Sequence, residues 1–244
     1  MRWLLLNVQN RLRFAARNPG YAVKSLVRDL TFADERFIGK ATGRAARIIR
    51  GFVDEPSNHV EFLNHLRRSE EDFSRAKITS ADLYAKRVLL QYAAIRALRP
   101  ELVVETGVAN GISTSYLLFA LHQNKRGVLH SIEIGDSTYL PPGRKTGWAV
   151  PEWLRERWQL HLGDARIMVP ELLAQLGTVD VFIHDSLHTY EHMKFEFEQA
   201  YPHIRPGGLL ISDDALWNSS FQEFAQQVRA PLARILRGVG YLRK

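Results

Sequence analysis

The spacing of hydrophobic positions changes at Pro100. Before it they recur every three or four residues. Leu5, Val8, Leu12 and Ala15 do so until Asn18-Pro19-Gly20 interrupts them, and Leu83, Val88, Leu89, Tyr92, Ala93 and Ile95 follow Ser80. This is the rhythm of amphipathic helices. Pro56-Ser57-Asn58 reads as a turn in which Ser57 or Asn58 caps a helix running to about Asp72, and Ser80 as the cap of a helix to Leu98 that Pro100 stops. Beyond Pro100, short β-rich runs appear: ELVVET (101–106), GVLHSIEI (127–134), WQLHL (158–162), VDVFIH (179–184) and GGLLISD (207–213). They alternate with the helical patterns ISTSYLLFALHQN, ARIMVPELLAQLG and TYEHMKFEFEQAYPHI.

Strand alternating with helix implies a mainly parallel sheet covered on both faces, an α/β doubly wound domain. The expected division is a helical, basic N-terminal extension over 1–79 and the α/β domain over 80–244. There is no internal repeat or low-complexity tract. The tail LARILRGVGYLRK has room for one or two further strands.

Composition narrows the class. The chain has 244 residues, 45% hydrophobic and 24% charged, which suits a globular protein with a sizeable core. It has no cysteine, so disulfides, thiolate metal sites and cysteine nucleophiles are excluded. The apolar run Trp3–Leu6 is too short for a signal or membrane segment, and the expectation is a cytoplasmic protein. The net charge of +7 is concentrated: residues 1–52 hold 11 Lys/Arg against 3 Asp/Glu, while the remainder is close to neutral. That segment reads as a solvated helix packed on the domain, or as a peripheral contact for a membrane surface or another partner. Nucleic acid is not expected, because the rest of the chain carries no basic stripe.

The stretch HDSLHTYEH, His184 to His192, spaces three histidines four apart and approximates the zinc-protease pattern H-E-x-x-H. That chemistry needs two histidines one turn apart on a helix. Here His184 closes a strand and the next helix starts near Thr189, so the resemblance to a zinc helix fails.

Ligands of doubly wound sheets bind beyond the carboxyl ends of the strands, and every such end here carries an acid. Glu105 lies in ETGVANG with Gly107 and Gly111; then come Glu133, Asp164, Asp185 with His188, and Asp213-Asp214. The glycines are not spaced G-x-G-x-x-G, which argues against a nicotinamide enzyme, and a ring of carboxylates repels a pyrophosphate. A ligand with a cationic end, a ribose diol and one carboxylate fits better. S-adenosylmethionine has these, and its carboxylate suits the helix start at Ile112-Ser113-Thr114.

The ordered set VVETGVANGISTSYLL, SIEI, HLGDA and FIHDSLHTYEHM…PGGLLISDD resembles class I S-adenosylmethionine-dependent methyltransferases over roughly residues 80–230, most nearly the bacterial O-methyltransferases of sugars and natural products. The resemblance implies a Rossmann-like fold with Glu105 and Gly107 at the methionine end and Gly111, Ser113 and Thr114 beside it. It places Glu133 on the ribose hydroxyls and Asp164 with Ala165 at the adenine. It also implies a Mg²⁺ site at Asp185, Asp213 and Asp214, with His188 as general base on the acceptor. Asp185-x-x-His188 and Asp213-Asp214 resemble the plan of the metal-dependent sugar O-methyltransferases, with two departures from catechol-type relatives: His184 occupies the place of their first metal acid, and Asp213-Asp214 stands where they have aspartate followed by asparagine.

The long connection 136–156 reads as a lid in which Tyr139, Arg144, Lys145 and Trp148, together with Trp217, cover the acceptor, or as a surface excursion. The expected activity is O-methylation of a hydroxyl on a sugar or small natural product. A metal-independent methyltransferase and a non-catalytic adaptor docking through residues 1–52 are the alternatives, with a homo-oligomer left open.

Overall fold

Valine and isoleucine on successive residues of short central strands require cover on both faces of a sheet, and the architecture supplies it. The structure is a computed structural model that describes residues 28–68, 85–135 and 140–244. Four helices come first: α1 Ala33–Thr42, α2 Ala46–Asp54, α3 Val60–Arg68 and α4 Lys86–Leu98. The α/β part follows as β1 Leu102–Thr106, α5 Ile112–Asn124, β2 Val128–Glu133, β3 Trp158–Leu162, α6 Ala165–Leu176, β4 Val179–His184, α7 Tyr190–His203, β5 Ile204–Ser212, α8 Ser220–Gln227, β6 Leu232–Leu236 and β7 Val239–Arg243.

The seven strands lie in the order β3-β2-β1-β4-β5-β7-β6. β1 to β5 are parallel, β7 runs antiparallel beside β5, and β6 antiparallel beside β7. The tail therefore supplies two strands, turned at Arg237 and Gly238, both with positive φ.

Alternation along the strands divides the core in two. Val103, Leu129, Ile183, Leu209 and Tyr241 face α4, α5 and the N-terminal helices, where they meet Ile38, Phe62, Ile95 and Phe119. Val104, Ile132, Phe182, Leu210 and Leu242 face α6, α7 and α8, packing on Val169, Leu173, Met193, Phe197 and Phe224. The described part of the N-terminal segment thus shares one core with α4 and α5. Among the described residues, no helix is long and apolar enough to cross a membrane.

Some local expectations change. Pro56-Ser57-Asn58 lies inside a 3₁₀ turn, Glu55–Asn58, and neither Ser57 nor Asn58 caps the next helix. His59 does, its Nδ1 accepting from the Phe62 N–H at 3.2 Å; the expected end of that helix at Asp72 lies outside the described residues. The fifth strand begins at Ile204, three residues earlier than the hydrophobic run suggests, because a register shift between Val179 and Val181 lets it pair beside β4 from its first residue. The basic helix over Leu5–Ala15, the Ser80 cap and Tyr139 lie outside the described residues.

Candidate functional site

Main-chain pairing continues past the strands and lines up their ends. The N–H groups of Gly107, Asp185, Asp213 and Gly163 donate to the carbonyls of Ile132, Thr106, His184 and Glu133 at 2.8–2.9 Å. Glycine is required at the centre of this edge. Gly107 has φ +83, and a Cβ there would stand 1.9 Å from the Asp185 carbonyl oxygen. Gly111, at φ +86, is the N-cap of α5, where a Cβ would meet Gly147 Cα and Val150 Cγ2 at 2.8 Å.

The two acids nearest the glycine loop are both engaged. Glu105 is fully buried and accepts from the hydroxyls of Thr114 at 2.9 Å, Ser131 at 2.8 Å and Ser113 at 3.5 Å. Burial pushes its pKa up to about 7 against the pull of those hydroxyls. Glu133 closes the loop from the other side. Its Oε2 accepts from the N–H groups of Val108 and Ala109, both at 2.8 Å, and its Oε1 from that of Ile134 at 3.0 Å. Asp164 caps α6, accepting from the Arg166 N–H at 2.8 Å, with Ala165 as the first helical residue. Ile134 and Leu162, at the ends of β2 and β3, are 67% and 61% exposed and offer an apolar surface beside these acids.

The connection between β2 and β3 is more than a surface excursion where it is described. It is a strap on the glycine loop: Gly147 N–H donates to Ala109 and Ala149 N–H to Asn110, at 2.9 and 3.0 Å. The Trp148 indole N–H donates to Asn110 Oδ1 at 2.7 Å, and Arg144 lies over its ring. Ala149 and Val150 are buried in the core, and the Ala149 carbonyl also meets His65 of α3 and Ser115 of α5.

Beyond β4 and β5 the predicted acceptor-side groups gather. His188 Nε2 is 3.7 Å from Asp185 Oδ1, and its Nδ1 is 4.0 Å from Asp214 Oδ2. Burial, reinforced by neighbouring His184, lowers its pKa and favours the neutral imidazole that a base requires. Burial raises the Asp185 carboxyl well above its ordinary range, with Asp213 and Glu105 adding to the effect. Leu187, Leu216 and Trp217 surround this cluster at 57%, 66% and 72% exposure, and the Trp217 ring lies 5.7 Å from that of His188.

Asp185, Asp213 and Asp214 thus come to neighbouring strand ends, but they do not close into a ligand set. Among the described residues, no group of three His, Cys, Asp or Glu side chains converges to hold a metal ion. One physical reason is Arg87 of α4, whose Nη1 donates to Asp213 Oδ2 at 2.9 Å. The donor chemistry itself fits a hard divalent cation: all three groups offer oxygen, they crowd one another, and Asp213 Oδ1 is buried without a hydrogen-bond partner.

Sequence reasoning missed Arg87 and Glu196. Glu196 is fully buried on α7 and receives four donors: Thr106 Oγ1 at 2.6 Å, His184 Nδ1 at 2.7 Å, Ser186 Oγ at 2.7 Å and His192 Nε2 at 2.9 Å. Burial alone would raise its pKa, but His184, His192 and Thr106 hold it down at about 2. An available signal was the four-residue rhythm His184, His188, His192, Glu196, which ends between core residues Met193 and Phe197. An open cavity of about 520 Å³ lies at the far end of α5, lined by Phe52, Glu55, His59 and Gln123. Its one acid, Glu55, is taken by Tyr92 and Arg96.

Comparison with known proteins adds similarities over the α/β part. A profile described as "Methyltransferase domain" matches residues 104–215. Demethylmacrocin O-methyltransferase of Streptomyces fradiae is 30% identical over 105 residues, covering 42% of this chain and 23% of the relative. Mycinamicin VI 2''-O-methyltransferase of Micromonospora griseorubida is 26% identical over 102 residues, with the same coverage. The chain thus matches about a quarter of the length of these curated relatives. Among solved structures, the apo form of a TDP-rhamnose 3'-O-methyltransferase of calicheamicin biosynthesis superposes with a TM-score of 0.50 at 18% identity, over 76% of this chain and 95% of that one. That likeness is one of fold.

Proposed function

We propose that the chain, whose residues 104–215 match a methyltransferase-domain profile, is a class I S-adenosylmethionine-dependent O-methyltransferase acting on a hydroxyl of a sugar or other small natural product. The observation that carries the reading is the continuous edge of strand ends. Along it a glycine loop, three acids and a His/Asp cluster stand side by side, which supports assigning the first two to the cofactor and the last to the acceptor. The curated relatives, both O-methyltransferases of macrolide compounds by name, support the acceptor class.

In this reading Glu105, Gly107, Gly111, Ser113 and Thr114 serve the methionine end of the cofactor, Glu133 the ribose hydroxyls, and Asp164 with Ala165 the adenine. Ile134 and Leu162 give the adenine an apolar surface. S-adenosylmethionine supplies a methyl group on a sulfonium, open to in-line attack. The chain positions the acceptor oxygen and removes its proton. His188, neutral and next to Asp185 and Asp214, takes that proton, and the Asp214 and Asp213 carboxylates favour the resulting imidazolium. Trp217 and Leu187 face the acceptor.

Asp185, Asp213 and Asp214 would hold Mg²⁺, which would supply Lewis-acid polarisation of acceptor oxygens. A second reading, transfer without a divalent cation, is favoured by the Arg87–Asp213 pair, which already places a positive charge among these acids. Isothermal titration with S-adenosylhomocysteine tests the main reading: binding that weakens in Glu133→Ala supports it, and no binding by the folded protein refutes it. Activity that survives EDTA selects the second reading.

A further inference from the structure

Asp185 and His188 lie between β4 and α7, on a turn with no regular structure of its own. Something outside the turn must fix where they stand. The Glu196 carboxylate is the group placed to do so.

Its two oxygens receive donors from both sides of Asp185, the His184 ring and the Ser186 hydroxyl, each at 2.7 Å. Side chains of an extended chain alternate in direction. Holding 184 and 186 on one side therefore turns Asp185 to the other, where Asp213, Asp214 and Glu105 act on it. The Thr106 hydroxyl, at 2.6 Å, ties the same carboxylate to the residue before Gly107, and Thr106 O already accepts from the Asp185 N–H. His192, at 2.9 Å, fixes the carboxylate from its own helix, whose first turn is capped by Thr189.

The histidine tautomer follows. A carboxylate at Nδ1 requires a proton there, so a neutral His184 is the Nδ1–H tautomer, with Nε2 buried and without a partner. The His184 ring stands edge to face with that of His188, with centroids 5.3 Å apart. Its tilt is thus part of the wall against which His188 rests.

We propose that Glu196 is the positioning residue of the acceptor side: one buried carboxylate that orients Asp185 and His188 by clasping the residues around them and fixing the tautomer of His184. The proposal rests on the reading of Asp185 and His188 as acceptor-side groups.

Glu196→Gln tests it, because the amide keeps the length but its NH₂ cannot accept from two of the four donors. The protein is labelled with ¹⁵N-histidine for long-range ¹H–¹⁵N NMR, carbethoxylation of His188 by diethyl pyrocarbonate is timed by mass spectrometry, and S-adenosylhomocysteine affinity is measured by calorimetry. In Glu196→Gln, His184 should lose its pure Nδ1–H signature and the His188 rate should change at least fivefold, while S-adenosylhomocysteine affinity stays within threefold. Unchanged His184 signals with a His188 rate within twofold of wild type would overturn the proposal. So would a parallel collapse of cofactor affinity, which marks a role in general folding. If Glu196→Gln does not fold, Ser186→Ala and Thr106→Val each remove one donor: intermediate His188 rates support the clasp, and wild-type rates in both refute it. If the wild-type protein binds no S-adenosylhomocysteine, the proposed function falls, while the histidine signals still decide the role of Glu196.

Discussion

Replacing Glu105 with glutamine should change how stability depends on pH. The side chain is fully buried against Thr114, Ser131 and Ser113, and its pKa rises from 4.5 to about 7. A carboxyl raised on folding keeps its proton in the native state after the unfolded chain has lost it. Its stabilising contribution is therefore complete below 4.5 and is lost as pH rises through about 7. At about 1.4 kcal/mol per pKa unit, the loss is about 3 kcal/mol. For a chain of this size that is roughly 6–12 °C in melting temperature. Glutamine can accept from two of the hydroxyls and donate to the third, and it has no proton to lose. Melting curves of both proteins from pH 4 to 8, without cofactor, should therefore converge or cross as pH rises, the wild type losing about 3 kcal/mol relative to Glu105→Gln. His188 titrates in both proteins and cancels in the difference. A difference constant to about 0.5 kcal/mol across this range would refute the reasoning, since that is the scatter of independent contributions.

Further outcomes follow from the same geometry. Gly107→Ala should cost at least about 3 kcal/mol or prevent folding, because the new Cβ meets the Asp185 carbonyl in a backbone conformation alanine avoids; denaturant unfolding measures it. Glu133→Ala should weaken S-adenosylhomocysteine binding about 10- to 100-fold by calorimetry, the value of charge-assisted hydrogen bonds to a diol. Arg87→Met should raise Mn²⁺ affinity about tenfold or more by electron paramagnetic resonance, since Asp213 then lacks the guanidinium at 2.9 Å. Glu196 gives the opposite pH signature to Glu105. Held at about 2, it contributes stability above 4.5 that is lost on acidification through about 2, so Glu196→Gln should flatten the acid limb of the melting profile.

The parallel sheet was legible in the sequence because its strands are short β-rich runs between helical patterns: VDVFIH coincides with the buried β4, and WQLHL with the half-exposed edge strand β3. The helix ISTSYLLFALHQN is likewise residue for residue α5. The acids at the strand ends were visible for the same reason, since finding each strand locates its carboxyl end. Three features were not visible. The strap over the glycine loop is held chiefly by main-chain groups, at Gly147 and Ala149, which leave no residue-type signature. Arg87 sits in an ordinary amphipathic helix, and only the packing of α4 on the sheet brings it to Asp213. Glu196 belongs to a helix rich in glutamate, and its burial is decided by three residues of other elements and one histidine a turn away. The cap at His59 was misread because Ser57 and Asn58 are stronger capping types, while the 3₁₀ turn starting at Glu55 uses up the positions they would need.

The strap also bears on how this chain could be watched and altered. Because Gly147 and Ala149 donate their amide hydrogens to Ala109 and Asn110, deuterium uptake at these two amides reports the opening of the glycine loop from a distance, with no label near the ligand. Beside it the stretch Gly143–Lys145 is exposed and bonded only within the connection itself by its main chain, Arg144 N–H to Pro141 and Trp148 N–H to Lys145. It is the place where homologues could lengthen, shorten or rewrite the connection without disturbing the loop beneath.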